Sequence, residues 1–464
     1  MSDVIQQFLA GGEDIKAPFE LCVEGQHYLC TDILRFLPGR RLVVKAEHNN
    51  LSLLLKLFVP SKKGWRELSR EQHGYRACRA ADVAVPKEIF LSDNFAGCLA
   101  VAYQFLDEAR SFSLQDVTDY QAAEALLDLM LKCHKAGIYQ HDIHTDNVLM
   151  TPKGLFLIDL ASIQGQFGKP LPASKSLKNL ARLMVQFKPD EQQHLLERLE
   201  YYYRGRGWRL DKDTQLHFIN LLDKAWQKRK DNYLSKRFRS CTMTVYEKNN
   251  RREFAFRRSF YQQAASGFVE NIDQLVNAGE VLKAGNSATV VKTWLGGRQV
   301  VIKRYNIKSP WHFVKRCWRR SRAANAWQHG NLMELLGIAT PKVLGFVEQR
   351  LGPLRTRAYL ICEFSEQAQE LSKVYADRAP SEAELRQVGR IFRLLAQYRI
   401  SHGDLKASNL LLTAHGEIEL IDLDAMQEHR HHWFFQKAFA RDQRRFMKNW
   451  QSTDTKDKFK AMLS

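Results

Sequence analysis

Hydrophobic and polar positions follow the same order of patterns twice along the chain. LSLLLKLF alternates apolar side chains around Lys56, and VVIKRYN does the same around Lys303. Alternation of this length predicts half-buried β-strands. In each copy a helical stretch then ends in a turn closed by Pro86 or Pro341, and an apolar strand follows. The repeated order indicates that the chain contains two copies of one structural unit.

A second pair of matching segments lies downstream, QHDIHTDNVLM (140–150) and SHGDLKASNLLL (401–412). Each places an Asp five residues before an Asn and an apolar run after it, and a hairpin-like segment ending in Ile-Asp-Leu comes next. The residues concerned are Asp142, Asn147 and Asp159 in the first copy and Asp404, Asn409 and Asp422 in the second. The repeat predicts an α+β protein with domains at 1–240 and 241–464.

Composition and charge indicate the class of binding partner and the cellular location. The 464 residues carry a formal net charge of +19, which favours anionic partners such as an acidic membrane surface or a phosphorylated substrate. The eight cysteines are scattered singly, and MSDVIQQFLAGGED has neither the basic start nor the apolar core of a secretion signal. No apolar run is long enough to predict a membrane span. We therefore expect a cytoplasmic protein with reduced thiols.

The repeated residues suit phosphoryl transfer from ATP, which needs a cation on the phosphates, oxygen ligands for Mg²⁺ and a base for the attacking hydroxyl. A strand lysine and a preceding hairpin glycine would contact the phosphates, the loop Asp would act as the base, and Asn with the later Asp would hold the metal. These candidates are Lys303, Gly285, Asp404, Asn409 and Asp422 in the second copy and Lys56, Asp142, Asn147 and Asp159 in the first. The ordered set predicts two tandem protein-kinase-like domains, each with a small β-rich N-lobe and a mainly helical C-lobe.

The two copies depart from the kinase pattern at different places. The second reads His-Gly-Asp-Leu-Lys, and Lys406 is a candidate to stabilise the transferred phosphoryl group. The first has His144 in that position, and a histidine is only partly charged near neutral pH. Glu71, fifteen residues before the proline of its turn, is the expected partner of Lys56, whereas the corresponding residue of the second copy is Ala326 and the nearest acid is Glu334. No Ala-Pro-Glu segment follows, so regulated protein kinases are poor models.

With these residues identified, the second copy resembles the lipopolysaccharide kinase family, which phosphorylates heptose or Kdo sugars of the lipopolysaccharide core. The resemblance runs from LKAGNSATVVK through VVIKRYN, GIATP, SHGDLKASNLLL and IDLDAM to RRFMKNW. It implies ATP and Mg²⁺ as cofactors, a lipopolysaccharide core or lipid A precursor as acceptor, and work at the cytoplasmic face of an inner membrane. The first copy looks like a more diverged relative.

Two other functions stay open at this stage. The HGDLKxxN loop suits a kinase of another small hydroxyl compound equally well, and the departures in each copy suit a pseudokinase or scaffold with one or both halves inactive. The basic segments KRCWRRSR (315–322) and KRKDNYLSKRFR (228–239) predict either contact with anionic headgroups or a solvated basic face with its aromatics in the core. Nucleic acid is disfavoured because no binding fold for it is recognised.

Overall fold

The computed structural model describes residues 3–12, 15–165, 167–286, 288–306 and 317–463. Its chain divides into two compact units, Met1–Gln227 and Lys228–Ser464. Helices and antiparallel sheets occur in both, in agreement with the predicted α+β class. The predicted domain limits at 240 and 241 stay a prediction. Of the basic segment KRCWRRSR, residues 315 and 316 lie outside the described residues.

The first unit contains a six-stranded antiparallel sheet followed by helices and two small sheets. The strand order is β1-β2-β3-β4-β6-β5 in the large sheet, β10-β9-β7 and β11-β8 in the small ones. The strands are β1 (Phe19–Val23), β2 (Gln26–Leu37), β3 (Arg41–His48), β4 (Leu51–Phe58), β5 (Glu88–Phe95), β6 (Cys98–Gln104), β7 (Arg110–Ser111), β8 (Ile138–Gln140), β9 (Val148–Thr151), β10 (Gly154–Leu157) and β11 (Ile163–Gly165). The helices are α1 (Asp3–Leu9), α2 (Lys62–Ala80), α3 (Tyr120–Lys135), α4 (Ala173–Met184), α5 (Pro189–Glu197) and α6 (Leu199–Gly205), and α7 (Lys212–Lys236) begins in the first unit and ends in the second.

The alternation in β4 explains how Lys56 reaches its position. Leu53, Leu55 and Leu57 point into a buried core on one face of the sheet. Because successive strand residues face opposite sides, Lys56 points to the other face, against which α2 packs. The side chain of Ser61 accepts a hydrogen bond from the Gly64 N–H and thereby caps the start of α2.

The second unit contains a seven-stranded antiparallel sheet of order β12-β13-β17-β18-β16-β15-β14, with small sheets β19-β21-β22 and β20-β23. Its strands are β12 (Thr244–Lys248), β13 (Arg252–Arg257), β14 (Glu280–Ala284), β15 (Ala288–Leu295), β16 (Arg298–Tyr305), β17 (Val343–Leu351), β18 (Leu354–Glu363), β19 (Gln369–Glu370), β20 (Ile400–Ser401), β21 (Leu410–Leu412), β22 (Ile418–Leu420) and β23 (Gln427–Glu428). Its helices are α8 (Arg258–Gln263), α9 (Ile272–Ala278), α10 (Arg322–Leu336), α11 (Leu371–Asp377), α12 (Glu382–Gln397), α13 (His432–Met447) and α14 (Thr453–Leu463).

Strand β16 repeats the arrangement of β4. Val300 and Ile302 are buried in the core on one face of the sheet, while Tyr305 packs on the other face with the α10 residue Trp327. Lys303 shares the face of Tyr305 by alternation and therefore lies on the α10 side. Ser321 caps the start of α10, and Gly337 ends it in the left-handed conformation with φ of 71°.

Five strands of each large sheet follow the same order. They are β2-β3-β4-β6-β5 in the first unit and β14-β15-β16-β18-β17 in the second. In both, a long helix, α2 or α10, comes between the third and fourth of these strands along the chain. The third strand, which carries the lysine, is therefore central in its sheet and packs beside a helix in both units.

One aromatic side chain of the basic segment 228–239 packs against the core of the second unit. Phe238 packs against the cluster around Trp327, whose indole N–H donates to the carbonyl of Arg237 at 3.0 Å. The Arg237 side chain is 2% exposed. Tyr233 and Phe238 of this segment are partly buried, whereas Trp318 in the other basic segment is 68% exposed.

Candidate functional site

In the first unit the strand lysine is bound to the helix glutamate that the sequence indicated. Lys56 Nζ donates to Glu71 Oε1 at 2.6 Å, and Glu71 is fully buried. The ammonium also lies 5.5 Å from the centre of the Tyr103 ring. Burial and the nearby Glu71 and Glu88 carboxylates raise the pKa of the Tyr103 hydroxyl, so it remains neutral. The pair is held on the helix side of the sheet, as the alternation of β4 requires.

In the second unit the lysine is bound to acids of the loop after β22 instead. Lys303 Nζ contacts Asp422 Oδ1 and lies 2.9 Å from Asp424 Oδ2. Arg322 contacts the other side of Asp424 at 3.0 Å. Burial alone would lower the pKa of Lys303, but the carboxylates of Asp424 and Asp422 outweigh it, so the pKa is raised. Lys303 is therefore charged, and its ammonium group contacts Asp422, the predicted metal ligand.

Asp424 and Arg322 are functional candidates that the sequence analysis missed. Both helices contain Gln-His-Gly, at 72–74 and 328–330, and alignment on this motif puts Trp327, rather than Ala326, in the place of Glu71. Neither residue has a carboxylate, so the missing Glu is real. The residue two positions after the metal-loop Asp is Ala161 in the first unit and Asp424 in the second. The acid that accompanies the lysine thus comes from the helix in one unit and from the loop in the other.

Glu334, the nearest acid on the helix in sequence, does not contact Lys303. It accepts hydrogen bonds from Arg257 Nη2 at 2.7 Å and from the Tyr233 hydroxyl at 3.2 Å. Burial would raise the pKa of this carboxyl, yet the Arg257 guanidinium beside it lowers the pKa overall. Glu334 therefore belongs to a separate ion pair that helps to hold α10.

The Asp404 side chain is partly exposed and has two cationic side chains beside it. Its carboxylate lies 3.4 Å from Lys406 Nζ and 3.3 Å from Arg445 Nη1, which also donates to the Gly403 carbonyl. The Asn409 amide nitrogen donates to the Asp404 backbone carbonyl at 2.7 Å and holds the loop in shape. The arrangement brings Asp404, Lys406 and Asn409 together and adds Arg445.

Asp442 fixes the backbone of the loop that carries Asp404. Its carboxylate accepts hydrogen bonds from the backbone N–H groups of His402 at 2.7 Å, Gly403 at 3.0 Å and Leu405 at 3.5 Å. Gly403 has a φ of 84°, and a Cβ there would lie 2.7 Å from the Ala425 carbonyl oxygen, so the position requires glycine. His402 Nε2 donates to the Ile421 carbonyl at 2.9 Å, directly before Asp422. The base loop and the metal loop are therefore linked.

The matching loop of the first unit keeps part of this construction. Asn147 donates to the Asp142 carbonyl at 2.9 Å, as Asn409 does to Asp404. His144 Nε2 lies 3.1 Å from Asp142 Oδ1, in an exposed pair. Asn179 occupies the place of Asp442 and bonds the backbone carbonyl of the β8 residue Gln140 at 2.8 Å. A neutral amide thus replaces the carboxylate that fixes the other loop.

The two predicted metal-loop acids have the same unusual backbone. Asp159 and Asp422 have φ of 58° and 64°, a left-handed conformation that costs energy outside glycine and marks sites where the fold imposes it. Each precedes a 3₁₀ turn, Leu160–Ser162 or Leu423–Ala425. Gly285 lies in the turn between β14 and β15, where its carbonyl accepts a 3.3 Å hydrogen bond from Asn306.

The structure contains no preformed cluster of metal ligands among its described residues, since no three acidic, histidine or cysteine side chains converge there. Asn409 and Asp422 nevertheless suit Mg²⁺, which is held by one or two protein oxygens together with substrate phosphates and water. The Asn409 amide uses its nitrogen for Asp404, and its oxygen is available as a ligand. Within the described part of the chain, no helix has the length and apolar character needed to cross a membrane.

The geometry of the second unit can now be compared with known proteins. Residues 279–464 match the family model of the lipopolysaccharide kinase (Kdo/WaaP) family. The match covers β14 to α14 and includes Lys303, Asp404, Asn409 and Asp422. It confirms the resemblance that the motifs of the second copy indicated, and it identifies a kinase relationship within lipopolysaccharide biosynthesis for this part of the chain. No curated protein matches the chain.

Proposed function

We propose that the protein transfers the γ-phosphoryl group of ATP to a hydroxyl of a heptose or Kdo sugar in the lipopolysaccharide core. The second unit performs the reaction, and both units are protein-kinase-like domains that arose by duplication. The shared order of five strands, the matching helix position and the paired Asp–x4–Asn loops support the duplication. The family match at 279–464 supports the reaction.

The proposal rests mainly on one observation: the loop that carries Asp422 and the loop that carries Asp404 are bonded to each other, and the first of them contacts Lys303. The metal loop brings Asp422 onto Lys303, and the base loop presents a partly exposed Asp404 next to Lys406. The His402 ring bonds the two loops together. A phosphotransferase of this kind catalyses mainly by position and electrostatics, so loops fixed to each other are what the reaction requires.

In the proposed mechanism Asp404 accepts the proton of the attacking sugar hydroxyl. Lys303 exchanges Asp422, one of its two present carboxylate partners, for phosphate oxygens of ATP, and Gly285 of the hairpin turn also contacts the phosphates. Lys406 stabilises the charge on the transferred group as a point charge. Asn409 and Asp422 would hold Mg²⁺, which would neutralise charge on the phosphates. Asp424, which Arg322 holds in place, keeps Lys303 oriented, and Asp422 would then be available to hold the metal.

For the first unit we propose a role in nucleotide binding or support without turnover. The kinase pattern is kept at Lys56, Glu71, Asn147 and Asp159. Among the described residues, however, the only ion-pair partner of the Asp142 carboxylate is His144. The base loop also lacks a glycine at the place of Gly403, since His141 stands there. We favour a scaffold function for the first unit alone, because its departures from the kinase pattern surround Asp142, the residue that would act as the base.

Transfer of labelled phosphate from ATP to deep-core lipopolysaccharide tests the proposal. The full-length protein should incorporate phosphate into the core sugars, and the Asp404→Ala variant should not. Choline and an aminoglycoside serve as alternative acceptors in parallel reactions. The proposal is refuted if the folded protein phosphorylates one of these compounds in preference to lipopolysaccharide, or phosphorylates none of the acceptors.

A further inference from the structure

A cavity of about 570 Å³ opens beside the loop that carries Asp404. Its wall includes Gly403, which directly precedes Asp404, and Arg445, which also contacts the Asp404 carboxylate at 3.3 Å. The volume lies within the range of roughly 300–1,000 Å³ that is typical of small-ligand sites. The cavity is therefore large enough for a sugar and borders the group that is proposed to activate the acceptor hydroxyl.

The two carboxylates that line this cavity are already engaged. Glu428 is paired with Lys230. Asp442 is 1% exposed and accepts the backbone N–H groups of the base loop. A cationic ligand would therefore have to compete with these existing partners.

Unlike the two carboxylates, two of the arginines that line the cavity have no ionic partner among the described residues. Arg430 and Arg441 are exposed side chains of the lining, and in the described part of the chain neither is ion-paired with an acid. Arg441 Nε makes only a weak 3.4 Å hydrogen bond, to the Lys437 carbonyl one turn back in α13. With Arg445, three guanidinium groups border one cavity, and guanidinium binds carboxylate and phosphate through paired hydrogen bonds.

We propose that this cavity is the acceptor subsite and that Arg430 and Arg441 bind an anionic group, a carboxylate or a phosphate, on the sugar chain whose hydroxyl Asp404 activates. The inference rests on the proposed function for the role of Asp404, and it adds the feature by which the acceptor is selected. Arg445 connects the subsite to the base, because it contacts both. A neutral acceptor would leave the arginines without a ligand and would bind weakly.

A pair of substitutions on α13 isolates the effect of the cavity. Arg441→Gln should raise KM for deep-core lipopolysaccharide about tenfold, with KM for ATP and kcat within about twofold of wild type, because only ground-state binding of the anion is lost. Arg444→Gln is the matched control, since Arg444 Nε makes the same bond to the carbonyl one turn back, at 3.2 Å, but lies outside the cavity lining. Equal acceptor KM values for the two variants would overturn the proposal.

Binding measurements without ATP separate this inference from the proposed reaction. Calorimetry without ATP uses free Kdo and its methyl ester to test the carboxylate, and deep-core lipopolysaccharide before and after removal of the lipid A phosphates to test the phosphate. An Arg441-dependent preference for Kdo over the ester assigns a carboxylate, and loss of the Arg441 effect on dephosphorylation assigns a phosphate. Arg441-dependent binding in a protein that transfers no phosphate supports the subsite and refutes the proposed function. Phosphate transfer that is unchanged when Arg430 and Arg441 are substituted supports the proposed function and refutes the subsite.

Discussion

The strand lysines of the two units differ in where their carboxylate partners come from. Lys56 is paired with Glu71 of α2, while Lys303 is paired with Asp422 and Asp424 of the loop after β22. Where one unit has the acid, the other has Trp327 on the helix or Ala161 in the loop. The shared arrangement of five strands can thus hold this lysine from either side, and the absence of the helix glutamate does not by itself argue against the proposed catalysis by the second unit.

The difference also has a consequence for the metal site. In the second unit the lysine contacts the proposed metal ligand Asp422 directly, so under the proposed mechanism nucleotide and metal would have to displace that contact. In the first unit Lys56 is occupied by a fully buried acid. In the second unit, therefore, loop residues hold the lysine, and in the first unit a helix residue holds it.

Removing the lysines should give the largest contrast. Lys303→Met should lower phosphate transfer by roughly two to three orders of magnitude, because the cation on the phosphates is lost. Lys56→Met should instead destabilise the first unit by about 3–5 kcal/mol, since Glu71 is left buried without its partner. Transfer rates and urea unfolding measure the two effects, with Lys56→Met/Glu71→Gln expected to recover most of the stability. Loss of transfer only in the Lys56 variant would reverse the assignment.

The loop acid gives the next largest effect. Asp424→Asn removes a buried carboxylate shared by Lys303 and Arg322, so kcat/KM for ATP should fall by about tenfold as Lys303 loses its orientation. Glu71→Gln is the matched control in the first unit and should leave kcat/KM unchanged. Steady-state kinetics with varied ATP decide the matter, and equal kinetic effects of the two variants would show that the location of the acid carries no functional meaning.

Fixation of the base loop should matter less. Asp442→Asn keeps the acceptor oxygens in part but loses the charge, and it should destabilise the second unit by about 1–3 kcal/mol. Hydrogen exchange of the backbone N–H groups of His402 and Gly403 should increase. The first unit already has an amide at this place, Asn179, and its exchange rates should not change. Unaltered protection of the base loop would refute the role given to Asp442.

The pH dependence of stability should be the feature that the units share. Burial lowers the pKa of His134 in the first unit and of His329 in the second to about 4. Below pH 6.5 the unfolded chain binds a proton that the folded chain does not, so stability falls as the pH drops from 6.5 towards 4, by on the order of 3 kcal/mol per histidine.

A substitution separates the two histidines. Asn179→Asp puts a carboxylate near His134 Nε2, which lies 3.1 Å from the present amide oxygen, and should raise the pKa of that histidine. Hydrogen exchange from pH 7 to 4.5 should then show a smaller loss in the first unit and the same loss in the second. If the acid sensitivity of the first unit is unaltered, His134 is not its origin.

The sequence allowed prediction of those features that depend on local patterns. The strands around Lys56 and Lys303 and the Asp–x4–Asn loops follow from alternation and from short, fixed spacings. The Lys56–Glu71 contact was also predictable, because a strand and the helix after it meet in this fold at a regular distance.

Contacts between distant segments could not be predicted in the same way. Lys303 and Asp424 are 121 positions apart, and Arg322 meets the same acid from a third segment. Glu334, the nearest acid on the helix in sequence, is paired with Arg257. The contacts that Asp442 and Arg445 make with the base loop depend on how α13 packs. The packing of Phe238 in the segment 228–239 likewise depends on a sheet that forms later in the chain.

Comparison of the two base-loop substitutions tests the central claim most directly. The measurement is the initial rate of phosphate transfer from Mg·ATP to deep-core lipopolysaccharide by the wild type, Asp404→Asn and Asp142→Asn, with folding verified by circular dichroism. The account predicts a loss of at least about a hundredfold for Asp404→Asn and a rate within about twofold of wild type for Asp142→Asn. A folded Asp404→Asn variant that keeps the wild-type rate, or an Asp142→Asn variant that loses it, would contradict the assignment of catalysis to the second unit.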